Sequence, residues 1–281
     1  MKNSIFFTAA AALVLLATGC DRLKSRDQLN KGVQAYKNAK YSEAVDHFKT
    51  AIDLDPKNPY ARLYLATAYM NQYIPGAESA ENARNLKAAR DEFMKVLQEN
   101  PKEKLAVQSL ASLSLNEVSG LTEMDAKMKK LDEARDWNLK VLALDPANKD
   151  AYYTLGVIDW SKWKPAYDAG RVKQGLKPED PGPFKDKTVR GDLKEKYGPM
   201  IDDGMKNLQK ALDIDPQYDE AMAYMNLFYR ERADLQDNED DYKKDIASAD
   251  SWLQKALDTR KIKAAKAAAA APGGINQEAP K

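Results

Sequence analysis

The sequence predicts an all-α chain of about five helix hairpins, several of them elongated and the fourth carrying a long insertion. Three observations carry this. A small residue, a large one four on, a small one three further and a proline five beyond that recur along the 281 residues. A second helical pattern precedes each copy. The prolines close the copies, because a proline ring cannot continue a helix.

The first copy is Ala44, Phe48, Ala51 and Pro56. Ala89, Phe93, Val96 and Pro101 form the second, and Ala134, Asn138, Val141 and Pro146 the third. Gly204, Leu208, Ala211 and Pro216 follow, then Ala249, Leu253 and Ala256, with Lys261 in place of the last proline. The preceding helices carry their own small residues: Gly32 with Tyr36, Leu65-Ala66 with Tyr69, Leu110-Ala111, Leu155-Gly156, and Met225-Asn226 with Tyr229. A small residue there lets the paired helix approach closely, and the large one packs the pair.

On these residues the stretch 25–258 resembles the tetratricopeptide repeat, a helix-turn-helix unit of 34 residues. The resemblance implies a right-handed solenoid whose first helices line a concave, partner-binding groove. The copies depart from the family in spacing. Between the two small residues the interval is 12 in the first copy (Gly32 to Ala44) and 23 in the second, third and fifth. It is 48 in the fourth (Gly156 to Gly204). Eleven extra residues are close to three helical turns, so longer helices keep their buried faces in phase. Turns are expected near Pro75-Gly76, Gly120 and Asp237-Asn238. The insertion spans about 161–203; Pro178, Pro181 and Pro183 mark it as irregular, with helix expected again from Gly191. The Ala-rich run from Thr259 predicts a prolonged last helix to about Ala271 that caps the solenoid, followed by a disordered tail to residue 281.

The N-terminus reads as an address. A short basic start is followed by Ile5 to Ala17, apolar except for Thr8 and too short to cross a bilayer. Leu16-Ala17-Thr18-Gly19-Cys20 resembles the bacterial lipobox, and Cys20 is the one cysteine of the chain. The resemblance implies a signal peptide over residues 1–19 and acylation of Cys20, palmitate included. The protein is then held at the inner or outer bacterial membrane, facing the periplasm. Two or more acyl chains anchor a protein stably. Asp21 to Asp27 is expected to act as a short tether.

Composition excludes much chemistry. Lys and Arg number 44 against 43 Asp and Glu, so no basic excess speaks for nucleic acid. One cysteine and one histidine (His47) leave no disulfide, zinc-thiolate site or histidine triad. There is no phosphate loop, no G-x-S-x-G, and no metal-spaced set of ligands. The acidic run 234–241 lacks the glycine turn and distal glutamate of a calcium loop. No enzyme and no cofactor are expected.

What remains is surface. The resemblance places Tyr60, Leu63, Thr67, Met70, Asn71, Gln108, Ser112, Asn116, Tyr153, Trp160 and Arg230 toward the concave face, with Tyr36 and Val157 able to serve as packing. Asn71 and Asn116 recur at equivalent places and can bond a ligand's backbone. Leu29 and Val33 stand where some relatives grip a carboxylate with Lys and Asn, which implies an apolar, amide-rich groove. The expected function is a non-catalytic, membrane-anchored scaffold for envelope proteins or peptides, in pilus, secretion or envelope assembly. The alternative is a periplasmic binder of small molecules or glycans, using Tyr153, Trp160, Trp163 and Tyr167 beside the insertion. Partner identity and oligomeric state stay open.

Overall fold

The computed structural model describes the backbone of residues 2–177 and 180–270 and the side chains of residues 20–177 and 180–269. Among them the regular elements are all helical. They are α1 (Lys2–Lys37), α2 (Tyr41–Leu54), α3 (Ala61–Gln72), α4 (Ala80–Glu99), α5 (Lys104–Asn116), α6 (Met124–Leu144), α7 (Lys149–Lys173), α8 (Lys187–Ile214), α9 (Asp219–Ala233) and α10 (Glu239–Ala270). A short 3-10 turn, Glu117–Gly120, follows α5. The expected tail beyond Pro272 lies outside the described residues.

The chain divides into two compact units, Met1–Leu144 and Asp145–Lys281. In the first, α1 pairs with α2, α3 with α4 and α5 with α6, while α2 packs on α3 and α4 on α5. In the second, α7 pairs with α8 and α9 with α10, and α9 packs on both α7 and α8.

The recurring residues build both cores. Ala44, Phe48, Ala51, Ala89, Phe93, Ala134, Leu208 and Ala211 are all buried. Burying a phenylalanine contributes roughly 1.5–3 kcal/mol. Close approach is why small residues recur opposite them. A Cβ on Gly32 would lie 2.5 Å from Phe48, and one on Gly156 would lie 2.6 Å from Leu208. Asn138 takes the aromatic's place in the third copy and stays buried because its amide donates to the Ala134 carbonyl (2.8 Å). Leu253, the equivalent in the last copy, is 38% exposed.

Three of the turns at these prolines share one chemistry. Before each proline Asp55, Asn100 and Asp215 are pushed to extended backbone (ψ 87, 90 and 94°). Their side-chain oxygens then accept the amides of Lys57, Lys102 and Gln217. Asn58 and Asn148 finish the turns by accepting amides at the starts of α3 and α7.

The extra length of the second hairpin goes into α4 and into the turn 73–79. Asn82 pins that turn from within, accepting the Ile74 amide (2.7 Å) and donating to the Ile74 and Ala77 carbonyls. In the fourth hairpin the insertion is mostly helix. α7 runs through Pro165 to Lys173, and α8 starts at Lys187, earlier than Gly191. The stretch around Pro181 and Pro183 folds onto α9, with Phe184 fully buried and its amide on the Asp234 carbonyl (3.0 Å).

The expected tether is corrected. Asp21 to Asp27 belong to α1, and Ser25 is fully buried, donating to the Ala51 carbonyl (2.7 Å) and accepting from Asn58. The first repeat therefore begins within a few residues of Cys20. At the other end α10 continues to Ala270, and Arg260 and Lys263 both bond Asp219 at the start of α9. Among the described residues no helix is long and apolar enough to cross a membrane.

Candidate functional site

In unit 1 the first helices of the hairpins present two polar stripes. On α3, Leu63, Thr67 and Asn71 follow at intervals of one turn. The Thr67 hydroxyl donates to the Leu63 carbonyl (2.8 Å). The Asn71 amide donates to the Thr67 carbonyl (2.9 Å) and to the Tyr36 hydroxyl (2.8 Å) on α1. Burial, and then neighbouring Tyr41, raise the Tyr36 hydroxyl above its ordinary pKa. Asn71 is exposed and Met70 half-buried, while Tyr60 stands at the N-cap of α3 at the edge of the unit. On α5, the helix beside α3, Gln108 and Asn116 are half-buried and Ser112 is exposed.

The tip of this unit carries an ion cluster. Arg90 bonds Glu117 and Glu133, and Lys130 reaches the same two carboxylates at 2.7 Å each. Burial pushes the Glu133 carboxyl up, but hydrogen bonds from Lys130 and Arg90 outweigh it and hold it at about 2. On the other side of the unit, Met94, Leu97, Val107, Trp137 and Leu144 line an apolar cleft of about 410 Å³, with the Lys140 ammonium 3.8 Å from the Trp137 ring centre.

In unit 2 the aromatic residues of α7 turn toward α9. Tyr153 packs against Tyr218 and Tyr224 at 5.0 and 5.7 Å, and Trp160 meets Tyr224 edge-on at 5.4 Å. Burial, followed by Tyr224 and Glu220, pushes the Tyr153 hydroxyl up to about 12. Trp160 and Trp163 both donate their indole N–H to one carboxylate, Glu231, at 3.0 and 2.6 Å. Burial lifts that carboxyl to about 7 against the pull of the two indoles. One turn further, Asp234 accepts from the Tyr167 hydroxyl (2.8 Å) and from Arg171 (2.7 Å). Arg171 also holds the carbonyls of Lys177 and Asp180. A cavity of about 430 Å³ opens beside these groups, lined by Tyr167, Arg171, Leu176, Leu227, Arg230 and Glu231 among others.

The family model for the TPR repeat matches residues 32–72, which cover the first hairpin and the helix after it. A structure of MamA superposes with a TM-score of 0.52 over 92% of this chain and 98% of its own, at 17% identity. MamA from Desulfovibrio magneticus RS-1 gives a TM-score of 0.52 over 85% and 96%, again at 17% identity. This is a tetratricopeptide-repeat fold. Comparison with curated protein sequences finds no significant match.

In tetratricopeptide terms, α1, α3, α5, α7 and α9 are the first helices of their repeats. The predicted surface residues divide between the units. Leu63, Thr67, Met70 and Asn71 share one helix, and Gln108, Ser112 and Asn116 share its neighbour. Tyr153 and Trp160 sit in the packing between α7 and α9, and Arg230 is tied to Asn226 (3.0 Å) and to Asp250. Of the four rings expected to meet a sugar, Trp163 is fully buried and Tyr167 stacks on Phe184 at 5.7 Å, while Tyr153 and Trp160 are half-buried. His47 pairs with Gln28 on α1 (2.7 Å), as a packing residue does. Cys20 is exposed.

Sequence reasoning missed Glu231, Asp234 and Arg171. A signal for Glu231 was present, because Tyr224, Phe228, Glu231 and Leu235 share one helical face. A carboxylate thus stands where the apolar period runs. Among the described residues no group of three or more His, Cys, Asp or Glu could hold a metal ion.

Proposed function

We propose that this chain is a lipid-anchored scaffold that holds envelope proteins or peptides against the first-helix face of unit 1. The observation that supports this reading is the pair of neighbouring stripes on α3 and α5. Asn71 is exposed, its amide nitrogen donates to Tyr36 and Thr67, and among the described residues its carbonyl oxygen meets no donor. Ser112 and Asn116 offer further groups one helix away. An extended segment lying across α3 and α5 would find polar groups for its backbone and Leu63 and Met70 for its side chains. Acylation at Cys20 would confine such partners to the membrane surface, and the periplasmic side follows from the lipobox. Pilus, secretion and envelope assembly are the processes such a scaffold would serve.

Photo-crosslinking in the native envelope tests this. A crosslinker replacing Ser112 should trap a discrete partner that one replacing exposed Lys95, on α4, does not trap. The double variant Asn71→Ala, Asn116→Ala should weaken the crosslink several-fold, since each lost partner to a backbone amide contributes about 1 kcal/mol. An undiminished crosslink from both positions would place the partner elsewhere.

A further inference from the structure

We propose that the apolar cleft of unit 1 binds a small anionic amphiphile of the fatty-acid class, at a site separate from the stripes on α3 and α5. The repeat supplies its own control. Pro56, Pro101 and Pro146 stand 45 residues apart, so positions in the first hairpin and the helices after it have equivalents 45 residues on. A cleft of about 300 Å³ is lined from α2, α3 and α4, with Lys49, Asp53, Arg62, Glu92 and Lys95 in its wall. The cleft of about 410 Å³ lies one repeat later, lined from α4, α5 and α6. In the earlier cleft Arg62 and Lys95 both reach Glu92 at 2.7 Å, and the charges close on one another. In the later one Val107 stands for Arg62 and Trp137 for Glu92, while Met94 and Gln98 stand for Lys49 and Asp53. Lys140 stands for Lys95. The ion pair is gone, the wall is apolar, and the lysine has lost its carboxylate.

What remains has a definite chemistry. Lys140 is the one charged residue of the lining, and Gln98 supplies the one other polar side chain. The Lys140 ammonium rests 3.8 Å from the centre of the Trp137 ring and meets no carboxylate among the described residues. Glu99, Glu103, Asp136 and Asp145 stand outside the lining, as do Lys95, Lys102 and Lys104. Of these acids Glu99 approaches Arg62 (3.9 Å), Glu103 accepts from Asn100 (3.3 Å), and Asp136, one turn before Lys140, forms no ion pair with it. The selection is therefore local: a cation stands in the wall and no acid does. Ligand pockets of this size are mostly apolar, with a few polar groups that fix orientation. An alkyl tail would cover Met94, Leu97, Val107 and Leu144, and a carboxylate head would take Lys140 and the Gln98 amide. A neutral lipid leaves the lysine unpaired, and an ion without a tail leaves the apolar wall in water. A peptide would bring backbone groups against a wall with a single amide to receive them, and unpaired polar groups are costly to cover. An alkyl carboxylate brings none.

The test uses the full chain in cell lysate and a photoreactive probe, decanoate with a diazirine on its tail. Adducts should concentrate in residues 94–107 and 137–144. Excess decanoate should suppress them, and its methyl ester should compete about threefold less well, the scale of an exposed ion pair. Lys140→Met should lower labelling by a similar factor, and Lys140→Arg should keep it. Ala143 is exposed, so Ala143→Trp fills the cleft without disturbing the packed residues. It should lower labelling at least about tenfold, since each methylene kept from its apolar wall costs about fourfold. Val107→Arg with Trp137→Glu, which writes the earlier ion pair into the later cleft, should do the same. Adducts spread evenly along the chain, or unmoved by Ala143→Trp, overturn the site. Equal competition by acid and ester, with labelling unchanged in Lys140→Met, overturns the anionic head and the proposal with it. A crosslinker replacing Ala143 that traps a discrete protein assigns the cleft to a polypeptide, and so overturns it as well.

Discussion

The α5/α6 hairpin of unit 1 and the α7/α8 hairpin of unit 2 both exceed the first hairpin in length, and they secure the excess by opposite means. The former is tied to α4 by partly buried ion pairs, Arg90 and Lys130 against Glu117 and Glu133. The latter folds its insertion back on α9 and buries Trp163, Tyr167, Arg171, Glu231 and Asp234. Near water, charges need only meet one another. Where the chain returns on itself, each charge it covers requires a partner, because an unpaired buried charge is far costlier than an exposed one. The two units consequently respond to acid with opposite sign.

The largest effect that would break this comparison is at Arg171. Arg171→Met strands Asp234 and the carbonyls of Lys177 and Asp180 in the interior. Removing one partner of a buried pair costs about 3–5 kcal/mol. Hydrogen exchange should show lost protection across α7, α9 and the 174–186 loop, with unit 1 unchanged. A cost near that of a surface pair would show that the insertion is not held by its buried charges.

The second effect is pH dependence at Glu231. Its folded pKa of about 7 lies above the ordinary 4.5. The favourable contribution is therefore complete below the ordinary value and is lost as pH rises through about 7. The shift corresponds to about 3 kcal/mol. Unit 2 should gain thermal stability on going from about pH 8 to pH 6. Asp234, raised first by burial, acts in the same direction. Glu231→Gln should flatten most of the slope near neutrality, and an unchanged slope would move its origin elsewhere.

The smallest effect is in unit 1. Glu133 is held at about 2, below the ordinary 4.5, so its contribution is present above the ordinary value and lost as pH falls toward 2. Because this cluster is partly solvated, Arg90→Ala should cost only about 1 kcal/mol. It should also blunt the acid sensitivity of unit 1. An Arg90 effect as large as that of Arg171 would erase the distinction between the two hairpins.

Much of the fold was legible because it is written locally. Phe48, Phe93, Leu208 and the small residues around them repeat a short-range interval, and each copy packs on its sequence neighbours. Candidate surface residues were legible only as far as helix phase allows. Phase put Asn71 and Ser112 at exposed positions. It could not tell that Trp160 and Tyr153 lie in the packing between α7 and α9, because that depends on how closely two helices of one unit approach.

The sequence by itself determined the helical hairpins, their order, the Asp-Pro turns and the small residues that permit close packing. Only the tertiary structure decided that the insertion is helix rather than loop, that residues 21–27 are packed helix rather than tether, and that Glu231 and Asp234 are buried. The physical reason is range. Helix periods and proline stops act within a few residues, whereas the environment of a charge is set by chain far away. Trp163 and Glu231 are separated by 68 residues, and Arg171 and Asp234 by 63. No spacing rule links such residues before the helices that carry them have packed.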